Sequence, residues 1–347
     1  MTVTRTAVGR ALQAVAAGQG LSTDLAAQAI GELMRGEASP VQTAALLMGL
    51  RARGETADEL AGTVLAMRQA MVRVETEDST VIDTCGTGGG VVTTFNVSTA
   101  AALVAVGAGA RVAKHGNRSF TSRCGSADVL EALGVPLDLS AEAAARVLRS
   151  AGLTFLYAPA FHPAMRFAAP VRRELAVPTL FNIVGPLANP AGVRRQVIGV
   201  ADRGRAEVLA ETVRRLGADH VLVVHGAVGM DEISPAGITD VWEVRRHELK
   251  GWTIEPADFG MAHDDVGALA GGDAAANARR LERLLAVPGD DPAGRAAAIL
   301  NGGAAVYVSG LAGTFKAGVA LAAGALDSGA AATALTRFRK AAANTAA

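Results

Sequence analysis

The hydrophobic pattern changes period once along the chain. Through residues 1–73 the apolar stripes keep helical spacing: Ala26, Ala29, Ile30 and Leu33 share one face, and Ala44, Leu47 and Met48 share another. Ser39-Pro40 sets an N-cap before a proline at the first helical position. Thr56-Ala57-Asp58-Glu59 has the spacing of a capping box, with Glu59 able to reach back to the Thr56 amide. Gly54-Glu55 breaks the pattern between two helices. These signals predict a compact subdomain of about four helices, with small apolar faces suited to packing within or between subunits.

From Thr80 onward, short apolar runs alternate with helical ones. Residues 81–82, 111–114, 152–157, 197–200 and 220–224 read as strands. Residues 101–106, 128–133, 141–150 (capped by Ser140) and 206–216 read as helices. Such alternation predicts a large α/β domain with a mainly parallel central sheet. The alanine-rich C-terminal third reads as helical, interrupted around 237–260. The expected fold class is thus α/β: a small all-helical N-terminal subdomain (residues 1–73, joined by a helix near 163–178) and a large α/β domain (residues 74–347).

Composition narrows the function. Half of the 347 residues are hydrophobic, enough for an ample core, and 33 Lys+Arg balance 33 Asp+Glu. A neutral chain lacks the basic excess of a non-specific nucleic-acid or anionic-membrane binder. Cys85 and Cys124 have no metal-ligand spacing and are too few for a disulfide framework, so reduced thiols in a cytoplasmic protein are expected. The N-terminus has no signal-peptide pattern, and the longest apolar run, 100–110, is too short to span a bilayer.

Candidate chemistry concentrates between Asp83 and Asp128. Gly86, Gly88 and Gly89 follow a predicted strand, and Asn96-Val97-Ser98-Thr99 opens a helix. Glycine permits positive φ and close approach of the backbone, and consecutive amides at a helix N-terminus bind anions. The competing reading is a tight strand-to-helix turn. A P-loop is excluded because no Gly-Lys-Ser/Thr follows, and a dinucleotide fingerprint is excluded by the glycine spacing. Ser98 serves either as a helix cap or as a polar ligand. The run Lys114-His115-Gly116-Asn117-Arg118-Ser119, with Thr121, Ser122 and Ser126 beyond it, reads as a basic loop at a strand end, a second anion edge. Two such edges in one crevice suit a ligand with two phosphate groups.

These runs, in order and spacing, resemble the signatures of the anthranilate phosphoribosyltransferases, of the nucleoside phosphorylase–phosphoribosyltransferase class. The likeness continues through His162-Pro-Ala-Met165, Val171-Arg172, Phe181-Asn182, Gly185-Pro-Leu-Ala-Asn-Pro190, Asp231-Glu232, Gly271-Gly272 with Asn277-Ala278, and Asn301. The resemblance implies transfer of a 5-phosphoribosyl group from 5-phosphoribosyl 1-diphosphate to the amine of anthranilate, in tryptophan synthesis. It implies diphosphate-sugar binding by Gly86, Gly89, Gly90, Thr94, Asn96, Val97, Ser98 and Thr99, by Lys114, His115, Gly116, Asn117, Arg118, Ser119, Phe120, Thr121 and Ser122, and by Ser126. Gly86, Asn117 and Arg172 would hold anthranilate, Ser98, Asp231 and Glu232 would bind Mg²⁺, and the protein would be a homodimer.

The residues agree with that chemistry. An acid pair such as Asp231-Glu232 is usually solvated, but beside a diphosphate site adjacent carboxylates suit hard Mg²⁺. Arg172 either caps a helix end or offers a planar fork to the carboxylate of anthranilate. His115 and His162 read as structural, and no general base or nucleophile is assigned. Two departures stand out: Gly90 where the family usually has aspartate, expected to alter the response to metal, and Ala176 where it often has glycine. The rival readings are a pyrimidine nucleoside phosphorylase-like enzyme, which usually needs a further C-terminal domain, and a non-catalytic nucleic-acid-binding relative.

Overall fold

In a computed structural model, which describes residues 6–119 and 123–346, seven strands form one sheet in the order β3-β2-β1-β4-β5-β6-β7. They are β1 (Ile82–Gly86), β2 (Val112–Gly116), β3 (Leu153–Tyr157), β4 (Arg195–Gly199), β5 (His220–Gly226), β6 (Thr239–Arg245) and β7 (Glu248–Ile254). The first five are parallel; β6 and β7 run antiparallel at one edge. The apolar runs of the parallel strands follow from burial on both faces.

Side-chain alternation divides the sheet between two cores. Val197, Leu222 and Val224 face the helix Val97–Gly107 and the C-terminal helices Pro292–Ser309 and Ala330–Ala346, whereas Ile198, Val221 and Val223 join Leu46, Leu47, Leu60 and Phe181. The helices α1 (Ala7–Ala16), α2 (Thr23–Met34), α3 (Pro40–Arg53) and α4 (Ala57–Ala70) belong to the second core. Their start signals act as the spacing predicts. Ser39 accepts the Gln42 amide while Gln42 accepts that of Ser39, and Thr56 and Glu59 do the same. Glu59 is fully buried; it also accepts the Leu21 amide at 2.8 Å and pairs with Arg53. Glu55 and Asp58 pair with Arg205 and Arg215 of the helix Arg203–Arg215, tying this end of the chain to a helix that packs on β5. Among the described residues no single helix is long and apolar enough to cross a membrane.

Three differences from the sequence pattern bear on the site. β1 continues through Gly86, which is therefore the last strand residue and not part of the loop. β2 contains Lys114, His115 and Gly116, so the supposed basic loop begins only at Asn117. The β6–β7 hairpin stands where only a break between helices was expected. Its turn residues, Arg246 and His247, hold φ of 51° and 70° without the Asn-Gly or Asp-Gly pair that announces such turns.

The order of the parallel strands reverses between β1 and β4. In open α/β sheets this is where a crevice opens at the carboxyl ends of the strands. Here those ends are the paired residues Gly86 and Gly199.

Candidate active site

Asp231 fills the switch point. Its Oδ2 accepts the Gly88 amide at 2.8 Å, and its backbone lies so close to Gly199 that no side chain fits there. A Cβ on Gly86 would strike the same carboxylate. Gly88 and Gly89 take φ of 67° and 80°, the left-handed turn that glycine allows without strain. Beside them, Thr94 donates its hydroxyl to Glu232, at 3.0 Å to Oε2. Asn301 fixes the segment from behind, exchanging hydrogen bonds with both backbone groups of Ile233.

Asp231, Glu232 and Ser98, with Thr84, Cys85 and Gly199, line one narrow cleft. The acid pair is half-buried, not the solvated pair that its sequence alone suggests. Burial raises the Asp231 carboxyl; burial and then the neighbouring Asp231 charge push Glu232 well above the usual carboxylate range. Two adjacent carboxylates that are costly to ionise form a donor set that a hard divalent cation relieves. Among the described residues no group of three or more His, Cys, Asp or Glu could hold a metal. A cation here would draw its other ligands from the Ser98 hydroxyl, water or substrate oxygens.

Lys114 is 2% exposed, its ammonium under the start of α5 (Val97–Gly107). It donates to the Ser98 hydroxyl at 3.1 Å and to the Thr84 carbonyl. Burial lowers its pKa, while Asp83, Cys85 and Glu232 act in the opposite direction. Asp83, fully buried, accepts the His115 amide at 3.2 Å and the Asn189 side chain at 2.8 Å. Lys114 is therefore a cation beneath the site, not one on a solvated loop. Ser98 faces Lys114 and does not cap α5, and the Val97 side chain is wholly within the core, leaving only its backbone for a ligand. Thr99, also buried, meets Ser126 hydroxyl to hydroxyl at 3.4 Å.

Arg118 is committed elsewhere: its guanidinium pairs with Asp128 and Glu131 of α6 (Ser126–Ala132). Asp128 also accepts the Ser119 and Gly125 amides at 3.0 and 2.8 Å, and so clasps both ends of the segment between them. Phe120, Thr121 and Ser122 lie outside the described residues. Asn117 accepts the Ala127 amide with its carbonyl and the Arg118 amide with its side chain.

The His115 and His162 rings meet at a tilt of 50° with centroids 5.1 Å apart, docking the segment that leads to Arg172 against the end of β2. Burial drives them to pKa values of about 3 and about 4, so both rings are neutral near pH 7. Arg172 donates to Asn182 Oδ1 at 3.3 Å and lies over the Phe181 ring, and among the described residues it has no acidic partner. Burial alone lowers its pKa. Sequence reading assigned no role to Asp83, Asn189, Asn277 or Asn301. Each is a buried polar residue, and only Asn189, Asn277 and Asn301 carried a signal, as members of matched runs.

Fold and site together define a two-part glycosyl transferase. Residues 10–71 match the family described as "Glycosyl transferase family, helical bundle domain", and residues 78–332 match "Glycosyl transferase family, a/b domain". Anthranilate phosphoribosyltransferase from Rubrobacter xylanophilus is 51% identical over 94% of this chain and 95% of its own. That from Thermomicrobium roseum is 48% identical over 96% of each. The crystal structure of anthranilate phosphoribosyltransferase from Thermus thermophilus superposes with a TM-score of 0.90 at 41% identity, covering 96% of this chain and 99% of that one. The enzyme from Saccharomyces cerevisiae in complex with PRPP and Mg superposes at 0.89 with 26% identity, covering 97% and 98%. The chain belongs to the anthranilate phosphoribosyltransferase family.

Proposed function

We infer that the protein transfers the 5-phosphoribosyl group of 5-phosphoribosyl 1-diphosphate to the amine of anthranilate. The products are N-(5-phosphoribosyl)anthranilate and diphosphate, as in the second step of tryptophan synthesis from chorismate. One observation carries the reading: a half-buried acid pair meets a glycine turn and the open end of a helix at the switch point of a parallel sheet.

The glycine amides and the start of α5 supply donors for phosphate oxygens. Asp231, Glu232 and the Ser98 hydroxyl would hold Mg²⁺, which when bound offsets the charge of the departing diphosphate. Lys114 keeps Ser98 in place and adds positive charge below it. Arg172 meets the carboxylate of anthranilate and, with Asn117, sets its amine toward the anomeric carbon. The bond from that carbon to diphosphate oxygen breaks, the bond to nitrogen forms, and the amine proton leaves to solvent. His115 and His162 are neutral and internal, and neither is assigned as the base. Gly86, Gly89, Gly90, Thr94, Asn96 and Thr99, with Lys114 to Ser122 and Ser126, complete the proposed sugar-diphosphate site.

The proposal extends to a division at residue 73, supported by the separate family matches, to a cytoplasmic location and to a homodimer joined through the helical part. The test mixes protein, Mg²⁺, 5-phosphoribosyl 1-diphosphate and anthranilate, and follows loss of anthranilate fluorescence. Absence of turnover, or equal turnover with a pyrimidine base, would overturn it.

A further inference from the structure

Asn96 occupies the N-cap position of α5, yet its side chain makes no cap hydrogen bond. Asparagine is among the strongest N-cap residues, because its side-chain oxygen readily takes one of the free first-turn amides. Something must therefore hold the side chain away. Its Oδ1 accepts the Asn277 side-chain amide at 3.0 Å and, more weakly, the Cys124 thiol at 3.4 Å, and its Nδ2 donates to the Cys124 carbonyl at 3.2 Å. Asn277 is 3% exposed and is itself pinned, its Oδ1 accepting the Gly272 amide at 2.7 Å. The helix that carries it, Ala274–Ala286, is anchored through Arg280. That guanidinium lies 4.3 Å above the Phe95 ring and donates to the Ala268 and Ala270 carbonyls and to Asp291. The chain of amides from Gly272 through Asn277 and Asn96 to Cys124 joins three loops around the glycine turn.

We propose that Asn277 is a positioning residue for the phosphate site, drawing the Asn96 side chain off the start of α5 so that the Ser98 amide, the first-turn amide not already donated to the Phe95 or Asn96 carbonyl, stays open to the diphosphate group. The inference rests on the phosphoribosyl-transfer reading. Released from Asn277, Asn96 turns inward and caps α5, taking the Ser98 amide that an anion would otherwise use.

Two variants test this, Asn277→Ala and Asn277→Asp; the second keeps an acceptor for Gly272 but has no amide to donate to Asn96. Binding of inorganic diphosphate with Mg²⁺ is measured by calorimetry, alongside KM for both substrates. The expected result is an increase of about tenfold in the diphosphate Kd and in KM for 5-phosphoribosyl 1-diphosphate, with KM for anthranilate unchanged. In an Asn96→Ala background, which has no side chain to act as cap, the Asn277 substitution should add less than about twofold. A general loosening of the fold would instead raise both KM values and act equally in both backgrounds. If Asn277→Ala does not fold, Asn277→Asp carries the test. A full tenfold loss in the Asn96→Ala background, or wild-type diphosphate affinity in Asn277→Asp while the wild type turns over anthranilate, would overturn this inference alone. A wild type without turnover would instead sink the functional reading.

Discussion

The Asp231 carboxylate accepts the Gly88 amide at 2.8 Å, 143 residues away in the chain, while its backbone lies against Gly199, so that it bridges the ends of β1 and β4. The oxygen that makes this bond also occupies the space that a side chain on Gly86 would need. A methyl group at position 86 must push the carboxylate aside. Gly86→Ala is expected to lower kcat/KM by about 100-fold, the usual effect of an ångström-scale misplacement of a catalytic or binding group. Steady-state kinetics with a parallel melting curve checks this; full activity would show that the Asp231 position is not critical.

At Gly90 the geometry argues for an altered metal response. A Cβ there would lie 3.6 Å from Asp231 Oδ1 and 2.9 Å from the Gly229 carbonyl. Gly90→Asp would set a third carboxylate beside the pair at the cost of a small shift in the loop. Even a water-screened charge at such a distance is worth about 1 kcal/mol, so the Mg²⁺ concentration for half-maximal rate should move by about fivefold or more. Activity titrated with Mg²⁺ in both proteins decides the matter, and superimposable profiles would count against it.

Ala176 ends the helix Ala169–Leu175 with φ of 53°, in the left-handed region. For a residue with a Cβ this costs roughly 1–2 kcal/mol, part of which glycine would lose again through the entropy of its unfolded chain. Ala176→Gly should therefore stabilise the protein by about 0.5–1 kcal/mol, seen as a higher midpoint in denaturant. Because the helix carries Arg172, KM for anthranilate measured in the same variant reports whether the turn also sets that side chain.

His115 and His162 predict an acid limb in stability. Their folded pKa values, about 3 and about 4, lie below the ordinary 6.5. The unfolded chain thus takes up protons first as pH falls. Stability from these rings is fully present above pH 6.5 and is lost as pH drops toward 4 and then 3. His162→Gln should remove roughly 3 kcal/mol of the loss between pH 6.5 and 4. Unfolding free energies of both proteins at these two pH values provide the check. The kcat/KM profile should show no limb near pH 6.5 from either ring.

What the sequence determined by itself is the set of features encoded within a few residues of one another. Capping at Ser39, Thr56 and Ser140 depends on side chains reaching amides three positions away. The alternation of strands and helices, the glycine turn and the family's runs were legible for the same reason. Only tertiary structure decided that Lys114 is buried under Ser98, that Asp231 meets Gly88, that Arg118 is spent on α6 and that Asn96 is drawn toward Asn277. It also decided the β6–β7 hairpin, whose turn residues carry no local signal. These outcomes depend on which strands become neighbours, and a charge or an amide is redirected by partners that the order of the sheet brings near, however far away they lie in the chain.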